Sequence, residues 1–348
     1  MNLKNSSDAQ LAAVEYDPFA GGGVSRVVPT TEAQREIWLA DRLGREASLA
    51  FNESISLRFS GPLDEVALAQ ALTGLVERHE ALRGEELCIG EPLNITPTFV
   101  DLSDLDSTLQ DKAVCDVCTR AVETQFDLEN GPLFRAELLR TGVEQHVLII
   151  TAHHIICDGW SFGILINDLA KLYAQGKGLL NLPLDVPSVF SDFAVEQRAL
   201  ENGPMRAADE NWWVSRFAGE LPILDLPLDR ARPAWRTFRS RRLDITFDAG
   251  LLSDARRLGA KSGAGLFGTM LAGFAVALHR LTRGSDIIVG IPAAGQSIGG
   301  HENLVGHCVN LLPIRLEVEP NSEMQSVIGK AQSALLDAYE HQSYTFGS

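Results

Sequence analysis

The stretch TAHHIICDGWS, residues 151–161, places two adjacent histidines at the end of an apolar, β-branched run that predicts a buried strand. Successive side chains of a strand point to opposite faces of its sheet, so His153 and His154 cannot both line one cavity. We therefore expect one ring to be structural and the other to face open space. Asp158 and Gly159 then turn the chain into a helix, and a histidine at such a strand end is well placed to meet a substrate.

Residue chemistry alone leaves three interpretations of this stretch open. The first is a pair of hydrogen-bonded core histidines followed by a helix-capping aspartate. The second is a metal site, which needs His154 and Asp158 on one face and a third ligand that the sequence does not offer, so we predict no bound metal. The third is general-base catalysis, because a neutral imidazole can accept a proton near pH 7.

Composition and charge argue against several classes of function. The chain has 348 residues, enough for two domains, and its 45% hydrophobic and 22% charged content is that of a globular protein. A formal net charge of −16 repels phosphate backbones and anionic lipids, so we predict no nucleic-acid or membrane partner. We expect no secretory signal in 1–23 and a buried core helix, too short to span a bilayer, in 266–278. An odd count of five cysteines favours a reducing compartment and predicts a cytoplasmic protein.

Two short motifs are interpreted as structural. Cys115 and Cys118 form a C-x-x-C, but apolar residues recur around them at helical spacing, whereas a redox motif opens a helix directly after a strand. Two cysteines also cannot complete a zinc site. The glycines at 21–23 have no strand before them and no Lys-Ser/Thr after them, so they predict a linker rather than a phosphate loop.

Local patterns predict two halves that both mix strands with helices. In the first half, Thr31 and Asp64 are candidate helix caps. The elements expected there are strands over 54–59, 133–140 and 146–154 and helices over 63–82 and 162–173. In the second half they are strands over 242–247, 286–290 and 308–318 and helices over 251–262 and 266–281.

The pattern H-H-x-x-x-D-G at 153–159 resembles the motif of the condensation-domain superfamily of nonribosomal peptide synthetases, whose fold is shared with chloramphenicol acetyltransferase. Further segments resemble the family's other motifs in the same order: EAQREIWL (32–39), RHEALR (78–83), SDFAVEQ (191–197), DIIVGIPAAGQ (286–296), VGHCVNLLPIR (305–315) and HQSYTF (341–346). The resemblance runs from about residue 26 to the end. It implies an α/β (α+β) fold of two acetyltransferase-like lobes in a V arrangement.

The resemblance also implies a division of the chain and a reaction. The expected parts are a linker (1–25), an N-terminal lobe (26–200), a crossover (201–235) and a partial C-terminal lobe (236–348). The expected activity is an amide-forming acyltransfer in antibiotic and other secondary-metabolite biosynthesis. The donor thioester arrives on the phosphopantetheine arm of an upstream peptidyl carrier protein, and the acceptor amine arrives on a downstream carrier. An adenylation domain is expected to be adjacent, and the domain itself is expected to bind no cofactor.

The resemblance further implies the roles of single residues. His154 is expected at the reaction centre, where it accepts and positions the amine proton, and the Gly159 amide is expected to face the developing oxyanion. His153 and Asp158 are expected to be structural, with Asp158 paired to Arg83 or Arg315. Trp160, Ser161 and Asn310 are expected to line the substrate tunnel.

Two features bear on subtype and on activity. Heterocyclization domains have aspartates in place of the histidines, so heterocyclization is not expected here. Epimerization domains keep the same histidines, but HHIICDGWS resembles a peptide-bond-forming domain more closely. The departures from the family's motifs are Arg35 and Glu36 in the first, 84–86 after the second, Phe190 and Glu196 in the fourth, and Ser343 and Thr345 in the last. We also expect the second lobe to be C-terminally incomplete. That expectation leaves an alternative open, a non-catalytic module that recruits carriers or enzymes, or an inactive fragment.

The segment RARPAWRTFRSRR, residues 230–242, contains six arginines interspersed with other residues. Such a cluster could dock an acidic carrier protein or the phosphate of a phosphopantetheine arm. We favour a solvated linker with locally paired charges, because exposed ion pairs contribute little.

Overall fold

The computed structural model of the chain describes residues 24–85, 88–90, 94–181, 183–201, 203–297, 300–345 and 347. The glycines at 21–23 lie outside the described residues. The helices of the first half are α1 (Glu32–Asp41), α2 (Arg45–Leu49), α3 (Glu65–Arg78), α4 (Ser107–Glu123), α5 (Gly159–Gly176) and α6 (Phe190–Leu200). Its strands are β1 (Val24–Val27), β2 (Asn52–Ser60), β3 (Gly84–Glu85), β4 (Cys88–Gly90), β5 (Thr98–Asp101), β6 (Phe134–Gly142) and β7 (Gln145–His153).

A four-stranded sheet in the order β2-β7-β6-β5 organises the first half. Strand β7 pairs antiparallel with β2 and β6, while β5 runs parallel to β6. Because β7 is central and covered on both faces, its residues from His146 to His153 are all buried, which is why this run is continuously apolar rather than alternating. The short strands β1, β4 and β3 form a separate sheet.

The two faces of the sheet carry different helices. Helices α3 and α5 contact each other, and their leucines share the main core with Leu148 and Ile150 of β7. Helix α4 covers the other face, where Val114 and Val117 pack against Ile149. Each such fully buried aliphatic side chain contributes about 1.5–3 kcal/mol relative to an exposed one. This packing fixes the end of β7 and therefore the position of the two histidines.

Helix starts follow the predicted caps. Thr31 and Gln34 form a reciprocal capping box at α1, and the Asp64 carboxylate accepts the Ala67 amide at 2.9 Å at the start of α3. Helix α3 ends at Arg78 and a 3-10 turn follows over Glu80–Arg83, so the predicted helix over 63–82 is shorter than expected. Cys115 and Cys118 lie inside α4, which confirms their helical setting.

The second half builds a two-stranded antiparallel sheet with helices around it. Its elements are α7 (Pro204–Arg216), α8 (Ala249–Lys261), α9 (Leu266–Thr282), β8 (Asp286–Ala294), β9 (Val309–Glu317) and α10 (Met324–Glu340). Strands β8 and β9 pair from Asp286↔Glu317 to Ala294↔Val309. Their inward side chains share a second core with α9, α10 and Trp213 of α7.

Two sequence predictions are wrong in this half. The predicted strand over 242–247 has no regular structure, and Leu243 and Ile245 are 84% and 71% exposed. Within the described residues no neighbouring strand pairs with this segment, so its backbone groups are left to water. Helix α9 is only half-buried, because Ala272 and Ala275 face the core while Phe267 and Phe274 are more than half exposed.

A helix that crosses a bilayer needs about 20 mostly apolar residues. In the described part of the chain, no single helix is both long and apolar enough to cross a bilayer. The pair formed by α8 and α9 passes on length and composition alone, with a bend of 99° between the two helices.

Candidate active site

The first histidine of the motif belongs to the packed interior. The His153 ring is fully buried between Phe51 and Phe126, with ring centroids 6.2 and 6.0 Å away. Its Nε2 lies 3.5 Å from a carboxylate oxygen of Asp41. Burial lowers the pKa of His153 to about 4, although Asp41 acts in the opposite direction. The ring is therefore neutral at pH 7.

The second histidine lies just beyond the last residue of β7, and its side chain is 25% exposed. Its Nδ1 lies 2.8 Å from the Cys157 carbonyl oxygen. Because a carbonyl can only accept, this contact assigns the proton to Nδ1 and leaves Nε2 as the basic atom of the neutral ring. Nε2 lies 3.3 Å from Glu53 Oε1, and the ring meets His307 edge-on with centroids 4.8 Å apart.

Asp158 is the N-cap of α5 and also holds the two halves together. Its Oδ1 accepts the backbone amide of Ser161 at 2.8 Å, and its Oδ2 accepts Gln296 Nε2 at 2.7 Å and the Cys308 amide at 3.1 Å. The Ser161 hydroxyl also donates to Oδ1. These donors satisfy a fully buried carboxylate without a cation.

The predicted ion pair between Asp158 and an arginine is therefore wrong. Arg315 instead binds both carboxylate oxygens of Asp286 at 2.5–3.0 Å, within the pair of strands β8 and β9. The Nε atom of Arg83 is buried and has no hydrogen-bond partner among the described residues. Neither arginine is among the hydrogen-bond partners that the structure gives Asp158.

The start of α5 presents Gly159 to open space. Gly159 is exposed and is the first residue of an 18-residue helix. A Cβ built on it would meet no other atom within 4 Å. The amides at a helix N-terminus carry partial positive charge, and here the Asp158 carboxylate already accepts one of them, the Ser161 amide.

The next two motif residues contact the loop before β9. Trp160, 43% exposed, donates its indole N–H to the Glu302 carbonyl at 3.0 Å. Ser161 is fully buried, and its oxygen accepts the Gly306 amide at 3.1 Å. Ser161 was expected to line the tunnel, but its hydroxyl is used to join the two halves. A Cβ on Gly306 would overlap the Phe190 ring, so only glycine fits this contact.

A cavity of about 190 Å³ lies next to these residues and is lined from both halves of the chain. Phe193 contributes to its wall from the first half, and His307 and Asn310 contribute from the second. Asn310 donates to the carbonyls of Gln342 and Tyr344 at 2.8 and 2.9 Å, which fixes the segment after α10. Burial lowers the pKa of His307 to about 3, so this ring is also neutral.

Two residues that contact His154, Glu53 and His307, were not predicted from the sequence. Glu53 lies opposite Ala152 in the register of β2 and β7, next to the histidines. An acidic residue at the start of a strand that pairs with the histidine strand was the available signal. His307 lies inside the segment VGHCVNLLPIR, whose position in space only the fold reveals.

No metal site is found in the part of the chain that the structure describes, where no group of three or more His, Cys, Asp or Glu side chains is placed to hold an ion. The absence of a bound metal stays a prediction.

Comparison with known proteins gives the family. The family model described as the condensation domain matches residues 24–348. Malpinin synthetase of Mortierella alpina is 32% identical over 351 residues, which cover 97% of this chain and 4% of that protein. Tyrocidine synthase 3 of Brevibacillus parabrevis is 31% identical over 332 residues, which cover 95% of this chain and 5% of that protein. This chain therefore spans a small part of the curated relatives it matches.

Solved structures support the same fold. The first condensation domain of the calcium-dependent antibiotic synthetase, in complex with a substrate analogue, superposes with a TM-score of 0.77 at 22% identity, covering 93% of this chain and 77% of that one. A chain from the complex of the X-domain and OxyB from teicoplanin biosynthesis gives a TM-score of 0.78 at 25% identity, covering 94% of this chain and 73% of that one.

The mixed α/β fold is confirmed by these superpositions, whereas the V arrangement, the incomplete second lobe and the domain boundaries stay predictions. Members of the matched family are generally amide-forming acyltransferases acting on phosphopantetheinyl-tethered substrates. The chain belongs to the condensation domain family of nonribosomal peptide synthetases.

Proposed function

We propose that the chain forms an amide bond between an acyl or peptidyl thioester on one carrier protein and the amine of an aminoacyl group on a second carrier. The observation that carries this proposal is the state of His154. Its ring is partly exposed, and its Nδ1–H donates to a backbone carbonyl, so Nε2, 3.3 Å from Glu53 Oε1, is the basic atom of the neutral ring. His153, by contrast, is buried and neutral.

The proposed reaction needs few groups. The acceptor nitrogen attacks the thioester carbon, the C–N bond forms and the carbonyl electrons move to oxygen. Nε2 of His154 takes the proton from the amine, and the amides at the start of α5, with Gly159 first, face the oxyanion. The C–S bond then breaks and the electron pair stays on the phosphopantetheine sulfur. The arms that carry both substrates belong to the partner carrier proteins, so no cofactor of the chain takes part.

Substitution of His154 tests this function. In His154→Ala, amide formation from carrier-loaded donor and acceptor should fall by about 10²–10⁴-fold, the usual contribution of one general base. The fold should stay intact, because the His154 side chain is 25% exposed and is not part of the packed core. Circular dichroism and thermal unfolding check the fold, and mass spectrometry of the product gives the rate.

A matched control removes another histidine that contacts a glutamate. His301 lies 2.9 Å from Glu196 and packs against Phe193, and His154 is not among the contacts that the structure gives its ring. His301→Ala should leave the rate within about twofold of wild type, because its 15% exposed ring makes no contact with His154 among those that the structure gives. A folded His154→Ala protein with the wild-type rate would contradict the role of the base, and an aggregated one would make the ring structural.

A second candidate function is a non-catalytic module that recruits a carrier or an enzyme. The likeness to a chain from the complex of the X-domain and OxyB favours it, because that structure is described as a complex with a second protein. The two candidates differ in one result. A catalytic domain makes amide only with His154 in place, whereas a recruiting module makes none and binds its partner equally well as His154→Ala.

A further inference from the structure

Glu53 places a carboxyl group directly against the basic atom of His154. It lies on β2 opposite Ala152, and its side chain is 30% exposed. One oxygen, Oε1, lies 3.3 Å from His154 Nε2. The other, Oε2, is buried and has no hydrogen-bond partner among the described residues. Glu53 therefore has one oxygen facing the histidine and one oxygen without stabilisation.

A shared proton would turn the contact between Oε1 and Nε2 into an attraction. Nδ1 already donates its hydrogen to Cys157, so Nε2 of a neutral ring has only a lone pair to offer. A carboxylate oxygen is likewise only an acceptor. A proton on either atom turns this repulsion into a hydrogen bond, either as imidazolium with carboxylate or as imidazole with carboxylic acid.

The surroundings favour retention of that proton. Burial raises the pKa of Glu53, Asp158 raises it further, and only His154 acts in the opposite direction. The titratable groups around the pair are His153 and Cys157 on the first half and His307 on the second. Both of these histidines are neutral at pH 7 and the thiol is not ionised, because burial raises the pKa of Cys157 well above its usual value. Within the described residues His154 is thus the group that can supply a positive charge to Glu53.

We propose that Glu53 is a positioning residue that shares one proton with Nε2 of His154 and so sets the pH range in which His154 can accept the proton of the acceptor amine. This inference rests on the proposed function. While the pair holds its proton, Nε2 has no free lone pair. Once that proton is lost to solvent, the amine proton moves to Nε2 as the C–N bond forms, and the Glu53 carboxylate stabilises the imidazolium. The imidazolium then gives this proton to the departing thiolate sulfur, and the pair returns to its deprotonated state.

Nuclear magnetic resonance tests the pair without requiring turnover. In the full chain labelled with ¹³C-histidine, the His154 Cε1–H signal is assigned from its loss in His154→Ala and followed between pH 5 and 9. In Glu53→Gln the midpoint of that signal should move to lower pH by about one unit, because a neutral amide no longer stabilises the protonated ring. Glu53→Leu, which also removes the carboxylate, should give the same direction of shift, and Glu53→Asp should stay near wild type.

The pH profile of amide formation gives the second readout. The acidic limb of kcat/KM should move to lower pH in Glu53→Gln by the same amount, and Glu53→Asp should restore it. Glu196→Gln is the matched control, since it removes a carboxylate from a different histidine, His301, and should change neither His154 readout.

An unchanged His154 midpoint in folded Glu53→Gln and Glu53→Leu would overturn the shared proton. If the chain makes no amide but the His154 midpoint still moves in Glu53→Gln, the proposed function is contradicted and the shared proton between Glu53 and His154 is supported.

Discussion

Buried neutral imidazoles make the stability of this protein sensitive to acid. The pKa values of His153 and His307 are about 4 and about 3, because both rings are desolvated. In the unfolded chain a histidine titrates near 6.5. Since each folded pKa is lowered, protons bind the unfolded state first, and stability is lost as the pH falls below about 6.5. Between pH 7.5 and pH 5 we expect each ring to lower the free energy of unfolding by roughly 2 kcal/mol, measured by urea titration.

His307→Phe separates the two rings. It keeps an aromatic side chain in a buried position and removes the titrating group, so the loss of stability between the two pH values should shrink by roughly 2 kcal/mol. His301→Phe, at a ring for which the structure gives a carboxylate partner, should not reduce that loss. An acid dependence that is the same in His307→Phe and wild type would contradict the burial of a neutral His307.

For single residues, burial was easier to predict from the sequence than hydrogen-bond partners were. His153 is buried and His154 is partly exposed, as expected, but the reason differs from strand alternation, because β7 ends at His153 and is buried on both faces. That His154 faces a substrate tunnel stays a prediction. The partner of Asp158 could not be predicted, because a buried carboxylate can be satisfied by an arginine or by several neutral donors. The chain uses Ser161, Gln296 and the Cys308 amide, which are up to 150 residues away.

At the element scale, α5 connects the histidine motif to the second half of the chain. Its cap, Asp158, accepts hydrogen bonds both from the first turn of the helix and from the start of β9. Asp158→Ala removes the cap and leaves several buried donors unpaired. We expect the free energy of unfolding to fall by about 3 kcal/mol or more, measured by urea titration at pH 7.5.

Asp248→Ala is the matched control for that loss. Asp248 caps α8 with the same geometry, accepting the Leu251 amide at 2.8 Å, but it is exposed and bonds no other element in the described part of the chain. Its removal should cost about 1 kcal/mol, the usual contribution of a cap alone. Equal losses in the two variants would mean that the bonds from Asp158 to the second half carry no stability.

Element types were predicted well where the pattern is local and poorly where it depends on a neighbour. The β-branched run of β7 and the caps of α1 and α3 are local signals, and the structure confirms them. The run 242–247 alternates like a strand, but a strand also needs a partner, and none pairs with it in the described residues. The prediction that α9 is a fully buried helix is wrong for the same reason, because an apolar sequence does not show which face of a helix another element will cover.

At the scale of the whole molecule, the candidate site lies where the two halves meet. His154 from the first half contacts His307 from the second. His307 also lines the cavity of about 190 Å³, whose walls come from both halves. Neither half contains the full cluster. The sequence showed the motifs of each half, but it could not show which of them touch, because such pairs are separated by more than a hundred residues and are set by packing.

The arginine cluster, residues 230–242, lies in the segment that joins the two halves. All six arginines between 230 and 242 are exposed, in a segment without helices or strands. Their ion pairs, Arg239 with Glu46 and Arg242 with Asp244, are exposed and contribute little. Limited trypsin digestion should therefore cut first in this segment, as mass spectrometry of the fragments will determine.

The two fragments should nevertheless stay together. Helix α7 remains on the first fragment, yet its Trp213 is buried in the second core and donates to the His341 carbonyl at 2.8 Å. The bonds from Asp158 to Gln296 and Cys308 also cross the cut. We expect the nicked protein to elute at the volume of the uncut chain in native buffer and to separate only in urea. Trp213→Ala, which empties a large core position, should let the nicked fragments separate without urea, whereas Trp235→Ala, at an 86% exposed ring, should not. Separation of the nicked wild-type protein in native buffer would mean that the segment 217–248 itself, rather than the packing of α7 and α5, holds the halves together.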